Sequence, residues 1–366
     1  MAILAAIILI TSTGIFSFLN QPKFGKKPSG KRLEQIKQSP NWENNSFKNI
    51  HPTPDLTEGV SYIKVLKEFF LERKDNIKPN IALPSEKVDL INIDKEQDVL
   101  VWFGHSSYFL QIDGLTFLVD PVLSGAASPV SFTTKSFEGT DRYTADDLPT
   151  IDFLLITHDH WDHLDYETIL KLKHKVKQTI CSLGTGEHLV YWGYDEQKIK
   201  ERDWDETIIF QNNVKIHTAP ARHFSGRGFK RNQALWTSYI LEVNEKRIYI
   251  GGDSGYDTHF KEIGNKFKSF DLAILENGQY DKNWKYIHMM PEEVLIAAKD
   301  LNTKLLFPVH SSKFALGNHP WYEPLEKITT LEHDGKFKII TPIIGSMISP
   351  FDTTKSFTTW WRQLKN

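Results

Sequence analysis

Residues 158–163 decide the fold, and they read His158-Asp159-His160-Trp161-Asp162-His163. An apolar run, Ile151–Thr157, precedes them, and Asp165 can cap a helix that follows. A loop between a strand and a helix can turn several side chains inward over a short span. Imidazole nitrogens and carboxylate oxygens are the usual ligands of zinc and related divalent ions. We therefore predict a metal site on this loop, with a surface cluster of histidine and aspartate as the alternative.

Further candidate ligands follow the ends of other predicted strands. His223 comes after Val214–Thr218, Asp253 after Arg247–Gly251, and His310 after Lys304–Pro308. In a layered α/β fold, strand ends and their loops gather at one edge, where sites are built. Histidines that only packed in a core would have no reason to follow strand ends. We therefore expect these three residues to join the loop at 158–163.

Two divalent ions fit this set of ligands better than one, because four ligands on one short loop would be strained around a single ion. The first ion would take His158, His160 and His223, the second would take Asp162, His163 and His310, and Asp253 would bridge them. Two such ions lower the pKa of a shared water, so that hydroxide is present at neutral pH. Zn²⁺ is the preferred metal, and the same donors accept Mn²⁺ or Fe²⁺.

These residues resemble the metallo-β-lactamase fold superfamily. More narrowly, they resemble the branch with N-acylphosphatidylethanolamine-hydrolysing phospholipase D and the bacterial ascorbate-phosphate lactonases. The stretches that carry the resemblance are Gly104-His105-Ser106-Ser107, Val119-Asp120-Pro121, Thr157–Asp165, Gly252-Asp253-Ser254-Gly255-Tyr256 and His288-Met289-Met290-Pro291-Glu292-Glu293. The resemblance implies an α/β fold, a four-layer αββα sandwich with the metals at one edge between two sheets. It also implies one ion held by His158, His160, His223 and Asp253, and another held by Asp162, His163, Asp253 and His310.

Several further residues receive predicted roles at this site. Asp162 or Asp253 would move a proton during the reaction. By the resemblance, His288 faces the metals and donates a proton to the leaving group; a structural histidine before a helix is the alternative. His105 and Asp120 are predicted to orient the ligands from behind.

Arg222 and Arg227 flank His223, and a guanidinium offers two parallel donors to a phosphate. These arginines and Tyr280 are the predicted substrate-binding residues, although surface ion pairs would equally explain the arginines. The phospholipase D resembled here has Gly-Ala-Tyr-x-Pro-Arg where this chain reads Gly278-Gln279-Tyr280-Asp281-Lys282-Asn283. The missing proline and arginine put the transfer of its headgroup contacts in doubt.

The first segment differs from the rest, because Ala2–Leu19 contains no charged residue. As a helix it would span about 27 Å, close to the thickness of a bilayer core. Lysines and arginines follow at Lys23, Lys26, Lys27, Lys31 and Arg32. We therefore predict a transmembrane anchor over residues 1–21 with the catalytic domain in the cytoplasm; a cleaved signal peptide is the alternative.

The remaining chain is divided into a linker and N-terminal extension with one helix (22–97), a catalytic domain (98–350) and a C-terminal tail (351–366). The formal net charge of −2 gives no reason to expect a nucleic-acid partner. A single cysteine, Cys181, rules out an intramolecular disulfide and fits a reducing compartment. The resemblance also allows a homodimer.

The sequence thus predicts a metal-dependent hydrolase, a phosphodiesterase of phospholipase D type that acts on N-acylphosphatidylethanolamine-like phospholipids. The apolar first segment and the aromatic content favour a lipid substrate. A lactonase or another hydrolase of a small phosphorylated metabolite is the alternative, since the arginine pair fits that substrate equally. A non-catalytic, membrane-tethered binding protein on a hydrolase fold is a third hypothesis. Decay should erase metal ligands first, yet all seven are present.

Overall fold

The computed structural model describes residues 1–211, 213–331 and 335–365. Residues 212 and 332–334 of the predicted catalytic domain, and residue 366 of the predicted tail, lie outside the described residues. The strands are β1 Trp42–Glu43, β2 Ser46–Phe47, β3 Val99–Trp102, β4 Tyr108–Ile112, β5 Leu115–Val119, β6 Ile151–Ile156, β7 Val176–Ser182, β8 Ile199–Arg202, β9 Thr207–Ile209, β10 Val214–Ala219, β11 Ser238–Val243, β12 Lys246–Ile250, β13 Phe270–Glu276, β14 Thr303–Val309, β15 Lys338–Ile339 and β16 Met347–Ile348. The α-helices are α1 Ala2–Leu19, α2 Gly30–Ile36, α3 Tyr62–Phe70, α4 Tyr166–Leu172, α5 Gly186–Tyr191, α6 His259–Phe267, α7 Pro291–Asp300 and α8 Glu323–Thr330.

Two seven-stranded mixed sheets form the body of the protein. The first has the order β16-β3-β4-β5-β6-β7-β8, and the second has the order β15-β14-β13-β12-β11-β10-β9. In each sheet one half is antiparallel and the other half is parallel. The loops that follow the carboxyl ends of the parallel strands β6, β12 and β14 therefore lie at a common edge.

The three largest hydrophobic clusters show how the sheets and helices are layered. The two sheets face each other across the main cluster, to which Trp102 and Phe307 belong. Helices α4 and α5 cover the outer face of the first sheet, where Leu172 and Leu189 are buried. Helix α7, with Val294, covers the outer face of the second sheet between α6 and α8. The predicted αββα sandwich is therefore confirmed, and its central strands are buried on both faces as such layering requires.

Helix α1 forms where the apolar run predicts a helix. Within the described parts of the chain, however, no helix is both long enough and apolar enough to cross a membrane. The predicted transmembrane anchor over residues 1–21 is therefore not supported, and neither is the membrane partner or the membrane location that rested on it.

The segments on either side of the predicted catalytic domain pack against it. In the extension, Ile36 of α2 and Phe47 of β2 are buried together with Trp236. At the other end, Trp360 and Trp361 belong to the cluster between the sheets. The segment predicted as a C-terminal tail thus contributes to the main core.

Candidate metal centre

The predicted ligands lie in loops that leave strands of both sheets. The loop at 158–163 follows β6 of the first sheet, while Asp253 and His310 follow β12 and β14 of the second. Their side chains converge into groups whose donor atoms all lie within 4.8 Å of one another. These groups are His158, His160, His223 and Asp253; His105, Asp162, His163 and His310; and Asp253, Glu276, His288 and His310. The structure therefore brings all seven predicted ligands together.

The first group directs imidazole nitrogens at one point. Nε2 of His158 lies 3.0 Å from Nδ1 of His160, and Nε2 of His223 lies 3.2 Å from the same atom. Nδ1 of His223 donates to the carbonyl oxygen of Ile287, which can only accept, so its Nε2 carries a lone pair. Burial lowers the pKa of His160 to about 4 and holds the pKa values of His158 and His223 well below their usual range. Neutral imidazoles with converging lone pairs are the donors that a divalent cation requires.

Asp253 lies between the two sets of ligands. Its Oδ2 is 3.8 Å from Nε2 of His158 and 3.7 Å from Nε2 of His223. Its Oδ1 is 3.1 Å from Nε2 of His163 and 3.2 Å from Nδ1 of His310. Burial raises the pKa of Asp253 to about 6. One carboxylate oxygen therefore faces each set, which is the arrangement of a bridging ligand.

The second set of ligands consists of Asp162, His163 and His310, together with Asp253. Its residues fit a cation. Nδ1 of His163 donates to Asp120, whose carboxylate lies 2.8 Å away, and this contact orients the ring. The buried Nε2 of His163 and the buried Oδ1 of Asp253 lie 3.1 Å apart, yet neither atom makes a hydrogen bond. Burial lowers the pKa of His163, but Asp253 and Asp162 outweigh it and raise the pKa well above its usual value. A positive charge is thus favoured at this point, and a metal ion bound there would account for both unpaired buried atoms.

His105 lies closer to the centre than the predicted supporting role requires. Its Nε2 lies 2.9 Å from Oδ2 of Asp162, and its ring packs 4.1 Å from that of His310. The backbones of the two histidines are also joined, because the His310 amide donates to the His105 carbonyl and the His105 amide donates to Ser311. Both histidines have φ in the left-handed region, at 54° and 66°. Such strained residues persist only where their surroundings hold them, as at binding sites.

A cavity of about 260 Å³ opens over these ligands. Its lining includes the predicted ligands His160, Asp162 and Asp253 and the aromatic side chains of Phe224 and Trp284. His288 also lines this cavity, as the sequence predicts. Nδ1 of His288 lies 2.6 Å from Oε2 of Glu276, a buried residue that the sequence analysis did not identify. Glu276 could have been found, since it ends β13 as other site residues follow their strands.

The three predicted substrate-binding residues do not line this cavity. Arg222 donates to Thr53, to the Pro52 carbonyl and to the Tyr256 carbonyl. Tyr280 is buried, donates to Glu323 and stacks on His319 at a ring distance of 4.7 Å. Their placement gives no support to a role in substrate binding.

Arg227 lies behind the metal loop. Its buried guanidinium donates to the carbonyls of Asp159 and Leu164, at 3.0 and 2.6 Å, and to the carbonyl of Lys23 in the extension. It also lies 3.9 Å from the ring centroid of Trp161. Arg227 therefore stabilises both ends of the ligand loop by hydrogen bonds and links them to the extension.

Arg227→Met is expected to lower metal affinity about ten- to a hundredfold, as the loss of residues that support ligands does in other metal sites. Methionine keeps much of the volume but leaves the carbonyls of Asp159 and Leu164 without this donor. Competition with a chromogenic chelator measures the affinity. Arg222→Met, which removes a guanidinium without contacts to the metal loop, is the control; equal affinities in the two variants would contradict this role for Arg227.

The lowered histidine pKa values predict how the stability of the metal-free protein depends on pH. Unfolded histidines take up protons near pH 6.5, whereas His158, His160, His223 and His310 resist protonation in the folded state. The unfolded state therefore binds more protons, and the free energy of unfolding should fall as pH decreases from about 6.5 towards 4. The raised pKa values of His163, Asp253 and Glu276 act in the opposite direction, but the lowered pKa values of His105 and His288 add to those of the four histidines.

Denaturant unfolding of the metal-free protein between pH 7 and pH 5 measures this slope. The slope should be shallower in His160→Asn, which removes one of the four groups. A free energy of unfolding that is constant over this range, or a slope unchanged in the variant, would contradict the prediction.

A two-sheet sandwich with a buried histidine and aspartate cluster at its edge defines a metal-dependent hydrolase of the β-lactamase type. Residues 116–311, more than half of the chain, match the family model described as a β-lactamase superfamily domain. The chain belongs to this superfamily. The predicted family and the prediction of a metal-dependent hydrolase are thereby confirmed.

Individual proteins are similar to this chain over most of its length. An "Uncharacterized protein" of Mycobacterium tuberculosis is 33% identical over 329 residues, which cover 89% of this chain and 88% of that protein. A Caenorhabditis elegans protein named N-acyl-phosphatidylethanolamine-hydrolyzing phospholipase D 1 is 30% identical over 309 residues, covering 78% of this chain and 84% of that protein. The solved structure of a metallo hydrolase from Ignicoccus hospitalis superposes with a TM-score of 0.52 at 21% identity, covering 69% of this chain and 97% of the other. This last similarity concerns the fold alone.

Proposed function

We propose that this protein is a phosphodiesterase of phospholipase D type that cleaves N-acylphosphatidylethanolamine-like phospholipids, with two divalent ions, Zn²⁺, at its centre. The observation that carries the proposal is Asp253, which directs one carboxylate oxygen at each of two sets of ligands in the lining of an open cavity. Paired cation sites of this kind suit displacement at a phosphorus atom, since they can act on both the attacking and the leaving oxygen.

The charge and shape of the cavity favour an anionic amphiphile. Two carboxylates, Asp162 and Asp253, together with two divalent ions would leave about two positive charges in the lining, which attract a phosphodiester. The lining also carries apolar side chains of Leu56, Phe224 and Trp284. A lining that combines metal ligands with apolar side chains suits a phosphate joined to hydrocarbon better than a small polar metabolite. The name of the Caenorhabditis elegans relative supports the same substrate class.

The reaction forms a bond between a water oxygen and phosphorus, and it breaks the bond from phosphorus to the N-acylethanolamine oxygen. When bound, the divalent ions supply stabilisation of the developing negative charge and a lowered pKa of water. His288 is the residue placed to supply a proton to the leaving oxygen. Burial raises the pKa of Glu276 well above its usual value, so its protonated Oε2 donates to Nδ1 of His288 at 2.6 Å. The neutral imidazole then carries its own proton on Nε2, which leaves that proton for the departing oxygen.

Initial rates on N-acylphosphatidylethanolamine, phosphatidylcholine and a phosphorylated lactone test the proposal, with metal content measured on the same protein. Hydrolysis in ¹⁸O-water should place the label in phosphatidic acid and leave the released N-acylethanolamine unlabelled. Label in a fatty acid would instead indicate attack at a carbonyl carbon. Turnover of the lactone without lipid cleavage would overturn the lipid substrate and favour a hydrolase of small phosphorylated metabolites.

A further inference from the structure

A different arginine from those predicted lies at the cavity over the metal ligands. Among the described residues that line this cavity, Arg231 is the only lysine or arginine. Its guanidinium lies 4.6 Å from the ring centroid of Phe224. Phe224 in turn contacts two metal ligands, with ring distances of 4.5 Å to His160 and 4.8 Å to His223. One aromatic ring therefore separates the guanidinium from the ligands of the first ion.

The guanidinium of Arg231 is paired with a carboxylate from the N-terminal extension. Nη1 of Arg231 donates to Oδ2 of Asp55 at 2.7 Å, and the hydroxyl of Tyr62 donates to the same oxygen at 2.8 Å. Asp55 and Tyr62 also line the cavity. Both partners of the ion pair are about half exposed, with relative side-chain exposures of 47% for Arg231 and 41% for Asp55. Exposed ion pairs contribute little to stability, so a competing anion can displace one partner at small cost.

The other arginines near the metal loop are engaged elsewhere. The guanidinium of Arg227 is buried behind the loop on the carbonyls of Asp159 and Leu164. Arg222 is held by the extension and by the Tyr256 carbonyl. Arg231 is thus the guanidinium that a ligand in the cavity can reach without disrupting the supports of the metal site.

We propose that Arg231 selects substrates with a singly charged phosphodiester, and that Asp55 occupies the guanidinium until the substrate replaces it. The two non-bridging oxygens of a phosphodiester match the planar guanidinium as the two oxygens of a carboxylate do. The substrate phosphate therefore exchanges with Asp55, and the released carboxylate remains a hydrogen-bond partner of Tyr62. This proposal rests on the proposed phosphodiesterase function and adds the residue that recognises the charge of the substrate.

Binding of two alkyl phosphates that differ in charge tests the proposal on the full-length, metal-loaded protein. Dibutyl phosphate carries one negative charge at neutral pH, and tributyl phosphate carries none. Isothermal titration calorimetry should show that Arg231→Gln weakens dibutyl phosphate binding about ten- to a hundredfold, the effect of losing a charge-assisted pair of hydrogen bonds. Binding of tributyl phosphate should not change. Arg231→Lys, which keeps the charge but not the planar fork, should show an intermediate loss.

Asp55→Asn should have the opposite effect and strengthen dibutyl phosphate binding several-fold, because the competing charge is removed while the side-chain volume is kept. Arg202→Gln is the matched control, since Arg202 lies on β8 and pairs with Glu206 on the surface, at 3.8 Å. Equal binding of dibutyl phosphate to unaltered protein, Arg231→Gln and Asp55→Asn would overturn the proposal.

Steady-state kinetics separates this inference from the proposed function. If the unaltered protein hydrolyses phospholipid, Arg231→Gln should raise KM by a similar factor with a smaller change in kcat. If the unaltered protein binds dibutyl phosphate through Arg231 but hydrolyses no phosphodiester, the proposed function fails while the assignment of Arg231 stands. Hydrolysis with a KM that does not depend on Arg231 or Asp55 would leave the function and overturn the inference.

Discussion

Asp253→Asn is expected to reduce phosphodiester hydrolysis by at least about a thousandfold and to leave fewer than two metal ions bound per chain. The substitution keeps the size of the side chain but removes the charge that faces both sets of ligands. Oδ1 and Oδ2 each lie within 4 Å of ring nitrogens from a different set, so the amide keeps an oxygen for one site only and the other site loses its shared ligand. Elemental analysis of the purified variant, combined with initial rates, measures both effects.

The matched control for this substitution is Asp205→Asn. Asp205 is an exposed aspartate that pairs with Lys266 at 3.0 Å, away from the metal centre. It should keep both the metal content and the rate of the unaltered protein. If Asp253→Asn retained two ions and most of its activity, Asp253 would not be a bridging ligand.

His288→Asn is expected to lower kcat by about a hundred- to ten-thousandfold while the metal content stays at two ions. This combination differs from that of Asp253→Asn, because His288 would act on the leaving group rather than hold a required ion. Burial lowers the pKa of His288 and raises that of Glu276, so at neutral pH the neutral imidazole accepts from Glu276 at Nδ1 and keeps its proton on Nε2. Glu276→Gln should cause a smaller loss of kcat and shift the pH profile, since Glu276 acts through His288.

The second sheet supplies a matched pair as the control. His217 lies 3.3 Å from Glu242, also with an imidazole nitrogen facing a carboxylate, but neither residue lines the cavity. His217→Asn should therefore leave kcat unchanged. Loss of bound metal in His288→Asn would instead identify His288 as a ligand, in agreement with its place in a group with Asp253 and His310.

Much of the fold could be predicted because local signals agree with tertiary structure. Asp113-Gly114 predicts a two-residue hairpin, and both residues have φ in the left-handed region, at 48° and 74°, between β4 and β5. Pro291 followed by acidic residues predicts the start of α7, and Glu293 accepts a hydrogen bond from the Met290 amide at that helix end. Strand ends also indicated which side chains would converge, since the carboxyl ends of parallel strands share an edge.

Predictions that depended on distant contacts were less successful. The amphipathic stretch after Thr57 predicts that this residue caps the helix of the extension, but its hydroxyl donates to the Lys282 carbonyl, and Ser61 caps α3 instead. Arg222 and Arg227 are near His223 in sequence, yet their side chains turn away from the cavity to carbonyls of other segments. Spacing along the chain fixes which backbone atoms are close. It does not determine where a long, flexible side chain finds its hydrogen-bond partners.

The ligands of the metal centre come from both halves of the sandwich. His158 and His163 follow a strand of the first sheet, whereas Asp253 and His310 follow strands of the second. Ions held there would cross-link the halves in the way that a disulfide joins two loops, and they would bind the folded state alone. By mass action, a free metal concentration a hundred times the dissociation constant would add about 2.7 kcal/mol to the free energy of unfolding. Metal supply would then govern how long the folded protein survives as well as how fast it works.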